Sequence, residues 1–351
     1  MGDATLGAAS DYSDSSPCSD RGTWRLRLGG HWVVVTEVFQ SYWFLAAERQ
    51  KMFFRRVSGE LAPWTDDAIL AGHRFTNAYR ASDRVSQYLL QHVIYDRARD
   101  VHDTVLRILL FKIFNRIDTW EHLIARVGEP EVSCFDHEAC ARALDERLEA
   151  GERLYSAAYI MPNPNFGFSR KHHNHLALLD SLLRDGAIPR IARAASLQAL
   201  YLELLAVPSF GSFLAFQYAI DLNYSPHFHF NEMDFVVAGP GAIRGIAKCF
   251  QDTGGLEPEQ VIASMAVDAA AHLNDQSTPF KDLDGRPLHL IDYQNLFCEV
   301  DKYARIRHPE RSNGGPSRVK QRYSPDGRPL CLGYPPKWGL RWSAESPSRV
   351  G

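Results

Sequence analysis

Two carboxylates, Glu232 and Asp234, follow one glycine-containing turn and precede another in the most distinctive stretch of the sequence. The first turn contains Pro208, Ser209 and Gly211, and the second contains Gly239 and Gly241. Backbone N–H groups at a glycine turn that leads into a helix can receive a phosphate. A buried carboxylate beside them could stabilise a sugar cation or activate water when a glycosidic bond breaks. This pattern predicts a DNA-binding site in which Asp234 is catalytic, with Glu232 as the alternative.

A simpler interpretation of the same residues stays open at this point. Gly211 and Gly241 could end and start packed helices without contacting any ligand. Asp234 could cap a turn or pair with Arg244. Each interpretation accounts for the local pattern.

Polar side chains elsewhere have the spacing of a substrate-facing surface. Gln217 and Asn223 are expected on a helix, where they could orient a base. A second group falls within a helical pattern and could contact phosphates or a pocket; it comprises Arg74, Asn77, Arg80 and Arg84. The alternative is a solvated face on which these arginines pair with neighbours such as Asp83.

Several kinds of chemistry lack their signatures. The sequence has no GxxxxGK[ST] motif, and residues 239–245 do not complete a GxGxxG pattern because Arg244 stands near its end. Two histidine clusters lack partners at zinc-site spacing, namely His172, His173 and His175, and His227 with His229. We therefore expect neither a metal nor a nucleotide cofactor.

Composition limits the class of protein. The 351 residues are 45% hydrophobic and 23% charged, which is ordinary for a soluble globular chain. The formal net charge is -3, so a nucleic-acid surface would have to be a local basic patch. The six cysteines form no CxxC pair, and no apolar run reaches the ~20 residues of a membrane span. We expect an intracellular, soluble protein whose partner is DNA rather than a membrane.

The hydrophobic periodicity predicts a mainly α protein. A short strand is expected from His31, followed by a helix from Val38, and residues 104–115 are expected to form a strongly apolar core helix. Residues 1–22 are predicted to be a disordered tail. Residues 23–307 are predicted to form a helical base-recognition domain, and residues 308–351 a basic, Pro- and Gly-rich extended arm.

The segment from Val207 to Ala215, VPSFGSFLA, resembles the helix-hairpin-helix turn of the helical DNA glycosylases, which reads roughly Leu-Pro-Gly-Val-Gly-x-x-x-Ala. Ser209 departs from that pattern at the first glycine. The resemblance implies a glycosylase-like helical fold, with Asp234 at the position of the family's aspartate. Enzymes of that family that also cut the strand carry a lysine inside the hairpin. Here Ser212, Phe213 and Leu214 occupy it, which implies base excision without a Schiff base.

A broader resemblance covers residues 42–305. The phrases that carry it are PWTD (63–66), RFTNAYRASDRVSQY (74–88), LFKIFN (110–115), FLAFQ (213–217), DLNY (221–224), DFVVAGPG (234–241) and LFCEVDKY (296–303). They resemble the helical domain named after phage 5-hydroxymethyluracil DNA kinases, grouped with α-glutamyl/putrescinyl-thymine pyrophosphorylases of DNA hypermodification. Related proteins of this group are also associated with glycosylase activity on hypermodified phage bases, as antiviral defence.

The glycine turns and the following acid favour the glycosylase branch of this group. We therefore predict a hydrolase that recognises a modified pyrimidine in DNA and leaves an abasic site. The first alternative is an enzyme of base hypermodification that acts on 5-hydroxymethyluracil by phosphoryl or pyrophosphoryl chemistry. The second is a non-catalytic module that binds modified DNA. The identity of the modified base and the oligomeric state stay open.

Overall fold

The computed structural model describes residues 23–274, 279–311, 319, 321–325, 330–342 and 344. Its helices are α1 (Glu37–Val57), α2 (Ala68–Gly72), α3 (Arg84–Tyr88), α4 (Val101–Phe114), α5 (Ile117–Val127), α6 (His137–Glu149), α7 (Lys171–Arg184), α8 (Ala187–Ala192), α9 (Leu197–Leu205), α10 (Ser212–Asn223), α11 (Pro240–Cys249), α12 (Pro258–Val267), α13 (Ala269–Asn274) and α14 (Leu290–Arg307). The strands are β1 (Thr23–Leu28), β2 (His31–Thr36) and β3 (Phe250–Asp252). The prediction of a mainly α fold is confirmed, and the predicted disordered tail lies outside the described residues.

The three strands form one antiparallel sheet in the order β1-β2-β3. β1 and β2 are joined by Gly29 and Gly30, both with positive φ, as a two-residue type I′ hairpin turn requires. Thr36 ends β2 and caps α1, because its hydroxyl accepts a hydrogen bond from the Val38 amide at 3.2 Å. The predicted change from strand to helix at this point is confirmed.

Helix α14 lies at the centre of the fold. Apolar residues such as Tyr293, Phe297 and Val300 are buried between α1, α11 and α12. α11 approaches α14 closely because Gly245 has no side chain: a Cβ atom there would lie 2.0 Å from the carbonyl oxygen of Phe297. This contact leaves no room for any other residue at position 245 unless the helices separate.

The predicted phosphate turn at Gly239 and Gly241 is also part of this helix packing. A Cβ atom at Gly239 would lie 2.5 Å from the ring of Phe213, and one at Gly241 would lie 2.9 Å from Cys298 Sγ. The two glycines therefore let α11 begin against α10 and α14. The predicted DNA contact at these two residues stays a prediction.

The segment between α9 and α10 reverses the chain at the surface. Ser209 has φ +69°, the left-handed conformation that a glycine would adopt more readily, so this serine occupies the strained position of the turn. Pro208 and Gly211 are exposed, while Phe210 is buried beneath them against Tyr218. The structure thus contains a solvent-facing turn between two packed helices.

The described residues of the C-terminal segment pack on the helices, in contrast to the predicted extended arm. The Tyr334 hydroxyl hydrogen-bonds the Ser82 hydroxyl at 2.7 Å. The Lys337 ammonium donates to the carbonyl oxygens of Asn223, Ser225 and Phe228 at the end of α10. A lysine at this position satisfies carbonyls that the helix leaves unpaired. Among the described residues, no helix is both long and apolar enough to cross a membrane.

Candidate active site

The segment between α2 and α3 carries polar side chains on two sides. Arg80 points into the protein and is 1% exposed. Arg74, Asn77, Asp83 and Arg84 line an open cleft on the other side. One short stretch of chain therefore joins a buried polar cluster to a surface cleft, and four residues that we predicted as DNA or substrate contacts lie on it.

A buried triad of Arg80, Lys112 and Asp221 forms the inner side. The Arg80 guanidinium makes a bidentate pair with the Asp221 carboxylate at 2.7 and 3.0 Å. Lys112 Nζ lies 3.1 Å from the same carboxylate and donates to Asn115 Oδ1 at 2.9 Å. All three triad residues are at most 3% exposed. Two cations thus share one carboxylate in a place that water does not reach.

The electrostatics of the triad follow from burial and proximity. Burial alone would raise the pKa of Asp221, but the charges of Arg80 and Lys112 hold it below its usual value. Burial lowers the pKa of Lys112, and Asp221 opposes that shift. Asp221 is therefore ionised at neutral pH and fixes both cations in position.

Amide side chains extend the triad toward α14. Gln217 Oε1 accepts from Arg80 Nε at 2.8 Å, and Gln217 Nε2 donates to Gln294 Oε1 at 3.1 Å. Asp292 accepts a hydrogen bond from the backbone N–H of Arg80 at 2.8 Å. The structure therefore brings the predicted substrate residues Gln217 and Arg80 together, but both use their polar groups on other protein atoms.

The outer side is a cleft of about 350 Å³, which we call the arginine cleft. Four arginines line it, and they are Arg49, Arg56, Arg74 and Arg84. Arg49 is fixed by hydrogen bonds to Thr76 O at 2.9 Å and Asn77 Oδ1 at 3.0 Å. Arg74 and Arg84 are exposed. The guanidinium groups of these arginines supply the cleft with the kind of hydrogen-bond donor that recognises phosphate.

Asp83 is the acidic residue in the wall of this cleft. Its carboxylate accepts a hydrogen bond from the Asn77 amide at 2.8 Å. Burial raises its pKa to about 7, although that hydrogen bond and the charge of Arg49 oppose the shift. A carboxyl group with a pKa near neutrality can accept a proton from a substrate hydroxyl.

The raised pKa predicts a pH-dependent stability. The folded protein keeps the Asp83 proton up to about pH 7, whereas the unfolded chain loses it near 3.8. The contribution of Asp83 to stability is therefore fully present below its pKa in the unfolded chain, and it is lost as pH rises through its pKa in the folded protein. Between pH 4 and pH 8, we expect the free energy of unfolding of the wild type to fall by about 2 kcal/mol relative to that of Asp83→Asn. Urea unfolding at both pH values measures this, and parallel pH profiles would contradict it.

Glu232 and Asn223 belong to a second buried group beyond the triad. Asn223 Nδ2 donates to Glu232 Oε1 at 3.2 Å, and Glu232 Oε2 lies 3.5 Å from Arg286 and 3.4 Å from His289 Nδ1. The Asn223 amide also exchanges two hydrogen bonds with the backbone of Phe230. Asn223 therefore fixes the loop after α10, with its hydrogen-bonding groups already used.

Asp234 lies at the surface, apart from the buried triad. It is exposed, and its carboxylate accepts from Asn231 Nδ2 at 2.7 Å within a local turn. This geometry matches a turn-capping aspartate better than a carboxylate in a dry pocket.

Two described clusters have residue types that bind metals. In the first, Asp145 accepts from His172 Nε2 at 2.7 Å and lies 3.0 Å from His173 Nε2; in the second, Glu37 lies near His308 and Glu310. An arginine already pairs with one carboxylate in each cluster, Arg170 with Asp145 and Arg311 with Glu37. These guanidinium groups compete with a metal ion for those two acids.

Sequence reasoning missed Lys112, Asp221 and Asp83 as members of the site. Lys112 lies in the apolar helix α4, and a charge in such a helix signals a buried partner. Asp221 occupies a comparable position in α10. The pairing with Arg80 spans 141 residues, so no local pattern could reveal it.

Comparison with known proteins identifies the class of this fold and site. Residues 36–313 match the family described as "5-hmdU DNA kinase, helical domain". This match covers most of the chain, and the protein belongs to that family. No solved structure matches it.

A curated relative is similar over 301 residues at 26% identity, and it is a protein of Bacillus phage SP10 named "5-hmdU DNA kinase". The match covers 78% of this chain but 46% of the relative, so the chain spans about half of that protein's length. The predicted resemblance to this family is confirmed.

The predicted glycosylase activity is wrong. The relative is named a kinase, which is a transferase, and the family carries the same name. These findings favour the alternative of a base-hypermodification enzyme over a hydrolase that leaves abasic sites. The role of Asp234 in stabilising a sugar cation belonged to the glycosylase interpretation and is withdrawn with it.

Proposed function

We propose that this protein binds DNA that contains 5-hydroxymethyluracil and presents the hydroxymethyl group as the acceptor in phosphoryl transfer. The observation that supports this most strongly is the arginine cleft, which is lined by four arginines and by Asp83. Family membership supplies the class of reaction. Arginines suit the DNA phosphates, and an aspartate of raised pKa suits the acceptor hydroxyl.

The proposal assigns this chain the acceptor side of the reaction. The matched family is the helical domain of the kinase, and the chain spans 46% of the relative's length. We assign the phosphoryl-donor nucleotide to another component, which would bring its phosphate to the cleft. Phosphoryl transfer depends mainly on positioning and charge stabilisation, so a separate domain can hold the acceptor.

Individual roles follow from the geometry. Arg74 and Arg84 are exposed at the mouth of the cleft and would contact the DNA backbone. Asn77 would orient Asp83, because its backbone amide holds that carboxylate. Asp83 would take the proton of the hydroxymethyl group as its oxygen attacks the phosphorus, while the P–O bond to the donor nucleotide breaks and that nucleotide leaves with the bonding electron pair. The solvent-facing turn at Pro208, Ser209 and Gly211 would be a second contact with the backbone.

Binding to DNA duplexes tests the proposal without any phosphoryl donor. We expect the protein to bind a duplex with one 5-hydroxymethyluracil roughly tenfold more tightly than the matched thymine duplex, because one extra hydroxyl gains hydrogen bonds. Fluorescence anisotropy titrations measure both dissociation constants. Equal affinity for the two duplexes would overturn the proposed function.

The cleft is tested by the double variant Arg74→Gln and Arg84→Gln. We expect this variant to bind both duplexes roughly tenfold or more weakly than the wild type. The slope of the logarithm of the binding constant against the logarithm of the salt concentration should fall by about 2, because two phosphate contacts are lost. The matched control is Arg126→Gln, an exposed arginine on α5 that does not line the cleft. Loss of affinity in the control alone would place the DNA elsewhere.

A further inference from the structure

A tyrosine from a surface loop covers the buried triad. Tyr159 belongs to the irregular segment between α6 and α7, where Ala158 is exposed and Ile160 is 60% exposed. Its backbone has φ +54°, a conformation that costs energy for a tyrosine. The strained backbone is thus held so that this ring enters the protein while its neighbours stay in solvent.

The ring of Tyr159 makes the contacts of a stacked base. It lies parallel to the ring of Phe213, with an interplanar angle of 7° and centroids 5.8 Å apart. Phe213 can take this position because residue 239 is glycine and leaves room for its ring. Stacking of this kind tolerates exchange of one flat ring for another.

Two cations of the triad face the same ring. Lys112 Nζ lies 4.8 Å and Arg80 Cζ 5.9 Å from the Tyr159 centroid. An ammonium has three protons, and two of the Lys112 acceptors are Asp221 and Asn115. The ring of Tyr159 therefore covers a cation that a carbonyl oxygen would bind more strongly than a ring face does.

The segment that carries Tyr159 is anchored on both sides of the ring, since Met161 is buried in the core and Pro162 O lies 2.7 Å from His175 Nε2. The Ala158 amide donates to Ser156 Oγ at 3.1 Å, and Asn115 Nδ2 donates to Ala158 O at 3.4 Å. The charge of Asp83 acts on the pKa of the Tyr159 hydroxyl, which burial raises. Tyr159 thus lies against the two cations of the buried triad.

We propose that the ring of Tyr159 occupies the binding site of a flipped pyrimidine, which we call the seat. On DNA binding, the target base leaves the duplex, the Tyr159 side chain withdraws, and the base stacks on Phe213. A ring carbonyl oxygen of the base then accepts from Lys112. The seat is one six-membered ring wide, so it selects pyrimidines over purines. This inference rests on the proposed function and names the place of its acceptor base.

The test uses a duplex with one 5-hydroxymethyluracil next to a 2-aminopurine, whose fluorescence rises when its neighbour leaves the stack. Four variants are compared with the wild type: Phe213→Ala, Phe213→Leu, Tyr159→Ala and Tyr159→Phe. We expect Phe213→Ala to weaken binding roughly tenfold or more and to remove the fluorescence rise, because the base loses its stacking partner. Phe213→Leu, which keeps apolar volume, is expected to do the same without loss of folding.

Tyr159→Ala is expected to have the opposite effect. Removal of the occupying ring should strengthen binding severalfold and enlarge the fluorescence rise, since the seat no longer has to be emptied. Tyr159→Phe keeps a ring in the seat and should behave as the wild type. Thermal melting of each variant confirms that it is folded.

Two outcomes overturn the inference. One is a Tyr159→Ala variant that loses binding as Phe213→Ala does, which would make Tyr159 part of the DNA surface. The other is a fluorescence rise that survives in both Phe213 variants. Failure of the proposed function is distinguishable, because the wild type would then bind thymine and 5-hydroxymethyluracil duplexes equally. A rise that depends on Phe213 would still establish the seat in that case.

Discussion

Asp221→Asn is expected to lower the free energy of unfolding by about 3–5 kcal/mol, because it leaves two buried cations without their carboxylate. Asp221 is 0% exposed and accepts from both Arg80 and Lys112. Asparagine keeps the shape but not the charge, and its amide protons would face the guanidinium. Urea denaturation at pH 7, followed by circular dichroism, measures the difference.

The matched control for this charge change is Glu131→Gln. Glu131 pairs with Arg97 at 3.5 Å, and both side chains are about half exposed. An exposed pair contributes little, so we expect a change below about 1 kcal/mol. Equal effects of the two substitutions would show that the Asp221 pair is not buried in solution.

Gly245→Ala is expected to destabilise the fold by about 3 kcal/mol, since its methyl group would meet the backbone of α14. The Cβ position lies 2.0 Å from the Phe297 carbonyl oxygen, and a backbone oxygen cannot rotate away as a side chain does. Helices α11 and α14 would have to separate, which would loosen the packing around Phe297. The midpoint of urea unfolding should fall accordingly.

Gly211→Ala is the control for this substitution. Its φ of -86° is accessible to alanine, and no atom lies within 4 Å of the added Cβ. The substitution should therefore leave stability unchanged or raise it by up to about 1 kcal/mol, because the unfolded chain loses freedom. A destabilisation equal to that of Gly245→Ala would mean that any loss of glycine is costly in this fold.

The helical architecture could be predicted because it depends on the local spacing of apolar residues along the sequence. The short strand expected from His31 and the helical spacing expected from Val38 correspond to β2 and α1. The apolar run around Leu109 predicts α4. Such patterns depend on neighbours within a few residues, so one sequence suffices to reveal them.

The site could be predicted only in part, because its contacts join distant parts of the chain. Arg80 and Gln217 were both identified from their residue types, but their hydrogen bond spans 137 residues. The hydrogen-bond partners of these two side chains could not be predicted from the neighbouring residues. Asp221 was not identified, although the fold buries its carboxylate completely.

The glycosylase interpretation failed because a glycine turn followed by an acid is a pattern that several physical needs produce. At Gly239 and Gly241 the need is close helix approach. At Asp234 it is a local turn held by Asn231. The longer phrases of the chain carried more information than this short motif, since they identified the family that the comparison confirmed.

The ammonium of Lys337 has a practical consequence for expression boundaries. The residues that match the family end at 313, whereas the cap on α10 is supplied by residue 337. A fragment cut at the end of the family match would keep Arg80, Lys112 and Asp221 but would leave the carbonyls of Ser225 and Phe228 to water. During synthesis, likewise, Lys337 leaves the ribosome 114 residues after Asn223, so the helix that carries Asp221 is made well before its cap.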